Sequence, residues 1–289
     1  MNLNKILIID NMKNKLQIFL FWLFLLTLLL FICKYFLIIS YPGSMNATVI
    51  VGKQCIHLIL VLIPLISVLI AEKWNVKSII SNYQISFKNV AIKAFVLFVL
   101  SAVLLFPLLI LFFTYIGGNL LHIESLGKVF SIESPYFFSG IKEVVSKSFI
   151  GFILAIIPAF LGEIAWRGFL EKNIAYSRTI KTFLIGLIWG LWSIFLIVLN
   201  YVENQESFVY PIILKILLCI ACSFYFVNAL KLSRTIFTSS IMQAFIAFMS
   251  VRFLMAGNPN YLIADTHGVL AIVTIIIING LLSRFLKSS

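Results

Sequence analysis

Residues 17–40 read QIFLFWLFLLTLLLFICKYFLIIS, an apolar run whose one charge is Lys34. A helix needs about 20 predominantly apolar residues to cross the hydrocarbon core of a bilayer, and this stretch meets that length with no Pro, Asp or Glu. Seven further runs of the same kind lie near 48–71, 91–116, 148–170, 181–201, 208–230, 235–255 and 261–284. The whole chain is 62% hydrophobic and 11% charged, with a mean hydropathy of +1.11. A water-soluble core cannot hide that much apolar surface. The sequence therefore predicts an all-α polytopic transmembrane helix bundle of about eight helices, a single integral membrane domain over residues 1–289. The basic N-tail before the first run resembles a signal peptide, but the run is too long and no small-residue cleavage site closes it. It reads as an anchor that stays.

Charge placement gives an orientation independent of those segments. Lys5, Lys13 and Lys15 precede the first run, and Lys73, Lys77, Lys88 and Lys93 fill the second connection. Lys172, Arg178 and Lys181 lie in the fourth, Lys231 and Arg234 in the sixth, and Arg284 and Lys287 at the C-terminus. The alternate connections are an uncharged 41–47 turn, a charge-balanced 117–147 loop, a turn with Glu203 and Glu206, and one with Asp265. Cytoplasmic loops carry the excess of Lys and Arg, so an even number of spans with cytoplasmic N- and C-termini is expected. The net charge of +12 is thereby explained without nucleic acid, since the basic residues never gather on one face. The 117–147 connection contains Gly117, Gly118, Gly127, Pro135 and Gly140 and reads as a loop, with 141–148 as a short interfacial helix or plain loop. No repeat is evident.

Ionisable residues inside apolar helices are costly and point to function. Lys34, Lys53 and Arg252 lie near span ends and are expected to snorkel. Lys215 sits seven residues into its span, with no partner nameable from sequence. His57, His122 and His267 have no companions at metal-ligand spacing, and Asp265 with His267 reads as a solvated span end, so no metal or cofactor is implied. Cys219 and Cys222, three apart, and Cys33 and Cys55 read as packing residues rather than a redox or metal pair. The informative stretch is Leu161-Gly162-Glu163-Ile164-Ala165-Trp166-Arg167-Gly168-Phe169-Leu170, where spacing of four puts Glu163 and Arg167 on one helix face. Alone, that spacing describes a self-neutralising pair that lowers the cost of burial.

This stretch resembles the CPBP family, also called Abi or CAAX-protease-like membrane proteins. The family pattern is E-E-x-x-x-R followed by G, then F-x-x-x-H and H-x-x-x-N or H-x-x-x-D on later helices. Glu163, Trp166, Arg167 and Gly168 match the first motif, with Gly162 at the first Glu. Gly186-Leu187-Ile188-Trp189-Gly190-Leu191-Trp192-Ser193 resembles the second, with Ser193 at the histidine. Thr238-Ser239-Ser240-Ile241-Met242-Gln243-Ala244-Phe245-Ile246-Ala247 aligns with the third, with Gln243 at the histidine and Ala247 at the Asn or Asp. The resemblance covers residues 148–255. At 1.5 Å per residue, Glu163 lies about 11 to 14 Å, Gln243 about 12 to 14 Å and Ser193 about 18 Å from the expected cytoplasmic ends of their spans.

The resemblance implies Glu163 and Arg167 as catalytic-motif remnants, and Gly162, Trp166, Trp189, Ser193, Gln243 and Ala247 as pocket lining. It also implies a water-activating carboxylate pair and an imidazole, of which this chain keeps one Glu. The reading that follows is a non-catalytic relative in a bacterial plasma membrane, partnered with the lipid bilayer and with another membrane protein or a peptide, as in self-immunity, surface-protein display or cell-envelope roles. Two alternatives stand beside it: an intramembrane endopeptidase acting on prenylated or leader-bearing peptides with Glu163 as base, and a small-solute transporter. The richness in Lys, Asn, Ile and Phe suggests an AT-rich bacterial genome.

Overall fold

The computed structural model describes residues 3–40, 47–83, 91–105, 108–109, 155–204, 209–249 and 269–288. Among these residues every regular element is helical and there is no strand. The helices are α1 (Leu3–Ser40), α2 (Ala47–Ala71), the short α3 (Val76–Asn82), α4 (Ile92–Leu100, continuing as a π-helix over Ser101–Leu105), and α5. The described part of α5 begins at residue 155, turns to π winding over Ile164–Leu170 and ends with Glu171–Asn173. Four more follow: α6 (Arg178–Asn204), α7 (Val209–Ser233), α8 (Ile236–Met249) and α9 (Val269–Ser288). Among the described residues three stretches are long and apolar enough to cross a membrane, Asp10–Leu37, Arg178–Val198 and Val209–Ser233, which makes this a membrane protein. Shorter apolar helices occupy Leu58–Ala71, Ile92–Leu105, Ile236–Ile246 and Val269–Arg284.

Large apolar side chains such as Phe19, Phe98 and Phe226 gather inside, as in a soluble protein, but polar ones join them and many large apolar ones face outward. Thr27, Ser67, Ser101, Glu163, Arg167, Ser193 and Thr274 are buried, while Phe21, Phe36, Leu58, Leu217 and Ile276 are exposed. Apolar lipid tails are the solvent that makes those outer residues favourable. Four of these hydroxyls, on Thr27, Ser67, Ser101 and Ser193, bond backbone carbonyls of their own helices, as Ser67 does to Ile63 O at 2.9 Å and Ser193 to Trp189 O at 2.8 Å. A polar group that bonds within its own helix avoids the cost of meeting hydrocarbon unpaired.

Helix α1 starts far earlier than the apolar run, because no Pro or Gly interrupts residues 3–40; Pro42 and Gly43 then follow its end. Lys34 does not snorkel as expected but is 4% exposed and engaged within the protein. Helix α2 stops in a tight turn in which Lys73 and Trp74 adopt left-handed backbone (φ 52° and 60°). There Trp74 N donates to Leu69 O at 2.7 Å and Lys73 N to Ile70 O at 3.0 Å, closing carbonyls that a helix end leaves open. The Asn75 side chain then accepts from Ser78 N at 3.0 Å and caps α3. Arg234 (φ 62°) makes the corresponding turn between α7 and α8, its N–H reaching Leu230 O at 2.8 Å.

The chain divides into two compact units, Met1–Ser86 with Leu161–Ile220, and Phe87–Phe160 with Ala221–Ser289. In the first, α1 packs along α2 and α6: Phe31 meets Phe195 edge-on at 5.6 Å, and Trp192 Nε1 donates to Thr27 Oγ1 at 3.1 Å. In the second, Phe160 stacks on Phe237 at 4.6 Å, and Ala155, Ala159 and Ala244 form a small-residue core. The Ser101 and Tyr225 hydroxyls meet there, and Asn228 Nδ2 bonds Asn279 Oδ1 at 2.8 Å and Ser283 Oγ at 3.2 Å. Hydrogen bonds of this kind hold helices together where lipid supplies no hydrophobic drive between them.

The 141–148 segment, Arg252, His122, Asp265, His267 and Glu206 lie outside the described residues. So do the side chains of Lys53, His57, Glu203 and Ala247, although Ala247 belongs to α8.

Candidate functional site

The site in the first unit is built on the π-helical stretch of α5. An α-helix at a protein surface shows one side to its surroundings, yet residues 162–170 are all buried. The wider i→i+5 winding, a feature often found at functional sites, coincides with this enclosure. Arg167 Nη1 donates to Glu163 Oε1 at 2.7 Å, and both side chains are wholly withdrawn from the surface. The pairing expected from spacing is thus present, in a setting where each charge is far more costly alone.

Aromatic rings close over the pair. The Arg167 guanidinium carbon lies 4.7 Å from the centre of the Trp189 ring on α6, a cation–π contact. Trp166 stacks on Trp189 at 6.5 Å and packs against Trp192 at 5.6 Å. The Trp166 indole nitrogen also covers Gly162, 3.4 Å from where a Cβ would stand. Ser193, beside them on α6, directs its hydroxyl to Trp189 O and lies within hydrogen-bonding reach of the buried Cys219 thiol. Glu163, Arg167, Trp166, Gly162, Trp189 and Ser193 therefore come together in a packed cluster.

Gln243 lies on α8 in the second unit. It is half-buried, and its Oε1 is enclosed with no hydrogen-bond partner among the described residues. Cys222 and Cys219 are both buried, and Lys215, one turn before Cys219, is half-buried. No group of three His, Cys, Asp or Glu residues able to hold a metal occurs among the described residues.

Helix α6 reaches α7 through two glycines. A Cβ on Gly186 would stand 2.6 Å from Ile220 Cα, and one on Gly190 would stand 2.9 Å from Ile216 Cα. Their spacing of four puts both on one face, the arrangement by which membrane helices bring backbones together.

A second polar cluster sits beyond the end of the motif, and the sequence reading did not find it. Glu72, just after α2, accepts from Lys15 Nζ at 2.8 Å and from Tyr83 Oη at 2.7 Å. The Tyr83 side chain rests on Gly168, where an added Cβ would stand 2.9 Å from Tyr83 Cβ and 3.0 Å from its ring Cγ, and Lys172 Nζ lies 5.7 Å from the ring centre. Burial pushes the Glu72 carboxyl up, but the hydrogen bonds from Lys15 and Tyr83 and the charges of Lys15 and Lys172 outweigh it, so the net shift is downward. Burial, then the hydrogen bond and charge of Glu72, push the Tyr83 phenol up and keep it neutral. Glu171 moves upward through burial, against the pull of Lys181, Arg178 and Arg167. The only signal for this cluster was a lone acid opening an otherwise basic connection; its partner Lys15 is 57 residues away.

Because the folded Glu72 carboxyl ionises at lower pH than the unfolded one, its contribution is full above the unfolded value and disappears as pH falls through the folded one. Unfolding midpoints of the detergent-solubilised protein between pH 6 and pH 3 are expected to fall more steeply for the wild type than for Glu72→Gln. Parallel curves would remove this role. Tyr83→Phe is expected to cost about 1.5 to 3 kcal/mol at pH 7, as loss of a hydrogen bond to a charged group does.

Compared with known proteins, the chain matches no family model and no curated protein.

Proposed function

We propose that this chain is a non-catalytic relative of the CPBP, or Abi, membrane proteins, in which the motif on α5 has become a packing and binding element. The observation that carries this reading is the Glu163–Arg167 ion pair, buried and covered by Trp189. Hydrolysis by a general base needs a water in contact with the carboxylate and a group that moves protons. Glu163 instead meets the Arg167 guanidinium, which offers donors and no acceptor, and Ser193, in place of an imidazole, spends its hydroxyl on a backbone carbonyl. Gln243, half-buried on α8, keeps part of its side chain at the surface, where another membrane component can meet it.

The accompanying topology is eight spans with both termini in the cytoplasm of a bacterial plasma membrane, supported by the alternation of basic connections and by helices in each of the eight apolar runs. The partner is another membrane protein or a peptide held within the bilayer.

Purified full-length protein in lipid nanodiscs, offered prenylated, leader-type and signal-remnant peptides, is expected to give no turnover above that of Glu163→Ala. Cleavage that requires Glu163 would replace this reading with that of an endopeptidase. Photocrosslinking from Gln243 in native membranes is expected to trap an intact protein partner.

A further inference from the structure

The connection between α2 and α3, together with the end of α5, presents an outer surface that the motif does not use and that the Glu72 cluster shares only through Lys172. Helix α3 has three sides. Ile79 and Tyr83 turn inward and are buried; Val76 and Ile80, one turn apart, are 52% and 56% exposed; Lys77 is exposed beside them. The left-handed turn before α3 sets Trp74 outward, 63% exposed, next to exposed Lys73. Exposed Lys172 borders the same connection from α5, its Nζ 5.7 Å from the ring centre of Tyr83, the residue that closes α3.

The acids of the neighbourhood do not offset these lysines at the surface. Glu72 is turned inward to Lys15 at 2.8 Å, and Glu171 is drawn to Lys181 at 3.7 Å. What faces outward is an indole and two branched aliphatic side chains among three ammonium groups, a few residues beyond the end of the apolar helix Leu58–Ala71. Trp concentrates at the level of lipid headgroups, apolar side chains of an interfacial helix enter the acyl boundary, and lysines beside a membrane attract anionic lipid.

We infer that Lys73, Trp74, Val76, Lys77, Ile80 and Lys172 form a binding surface for anionic phospholipid headgroups. The indole and aliphatic side chains sit at the headgroup boundary, and the ammonium groups hold lipid phosphates. The surface draws on no part of the α5 motif and stands apart from the functional reading above.

The test uses full-length protein reconstituted in phosphatidylcholine bilayers containing phosphatidylglycerol, with bromine-labelled acyl chains on one lipid or the other to quench tryptophan. The chain has five tryptophans, so the Trp74 component is taken as the difference from Trp74→Phe. That component is expected to favour phosphatidylglycerol at least about tenfold at low salt, given roughly fivefold per lysine near an anionic surface. The preference should fall within twofold of parity in K73Q/K77Q/K172Q, persist in K73R/K77R/K172R, and shrink in 0.5 M NaCl. Equal quenching by the two lipids in the wild type, or a preference that survives the Gln variant, overturns the inference. Absence of Trp74 quenching by either lipid also overturns it, and identifies a face held off the bilayer, as a protein-docking surface would be.

Discussion

Arg167→Met is expected to destabilise the protein by about 3 to 5 kcal/mol, the usual cost of breaking a buried ion pair from one side. The pair is withdrawn from the surface on both sides, so the remaining Glu163 carboxylate would have neither solvent nor the 2.7 Å donor that now holds it. The cation–π contact with Trp189 at 4.7 Å would be lost as well, adding roughly 0.5 to 2 kcal/mol. Glu163→Leu should cost a comparable amount by removing the carboxylate that accepts from the buried guanidinium at 2.7 Å. The double variant, with Leu at 163 and Met at 167, is expected to recover most of both losses, because neither charge then needs a partner. Unfolding in mixed micelles, followed by tryptophan fluorescence, reads this as a coupling of several kcal/mol between the two substitutions. Simple additivity would mean that the two residues do not stabilise each other and would withdraw support from the packing role proposed for the motif.

The second large effect is expected at Gly186. Its Cβ would stand 2.6 Å from Ile220 Cα, 3.0 Å from Cys219 O and 3.1 Å from Ile220 N, all backbone atoms that no side-chain rotation can move. Gly186→Val therefore forces α6 and α7 apart, disturbing Trp189 and Ser193 on the same helix. Overpacking costs about 1 to 3 kcal/mol in ordinary cores, and a backbone obstacle puts this substitution at or above the top of that range. Gly190→Ala should cost less, since two of its three nearest atoms belong to the Ile216 side chain. Gly280→Ala, where a Cβ meets nothing within 4 Å, is the matched control and should be neutral or slightly stabilising. Equal losses at Gly186 and Gly280 would show that close approach is not what Gly186 provides.

These residues also mark what could be read from the sequence and what could not. The helical, membrane-embedded class was legible in runs such as 17–40, because apolar length alone decides it. The Glu163–Arg167 pair was legible because helical spacing fixes neighbours four apart. The π winding over Ile164–Leu170 left no trace in the residues, since it changes register without changing composition. The family resemblance put Ser193 beside the motif, yet could not tell that its hydroxyl would turn to Trp189 O. Lys34 looked able to reach water from a helix end, and only the packing of the helices around it keeps it inside. The Glu72, Lys15 and Tyr83 cluster depends on contacts between distant segments, which no local pattern encodes. The close approach of α6 and α7 leaves a trace in the sequence, Gly186 and Gly190 four apart, but spacing alone does not say which helix meets them.

The hydrogen bond from Trp192 to Thr27 joins positions 165 residues apart. At ordinary translation rates of about 5 to 20 residues per second, α1 enters the bilayer roughly 10 to 30 seconds before the indole it will meet has been made. Through that interval the Thr27 hydroxyl is not stranded in hydrocarbon, because it also bonds Leu23 O within its own helix. The earliest segment can thus wait in lipid as a finished helix, and assembly of the motif is completed by a donor that arrives late.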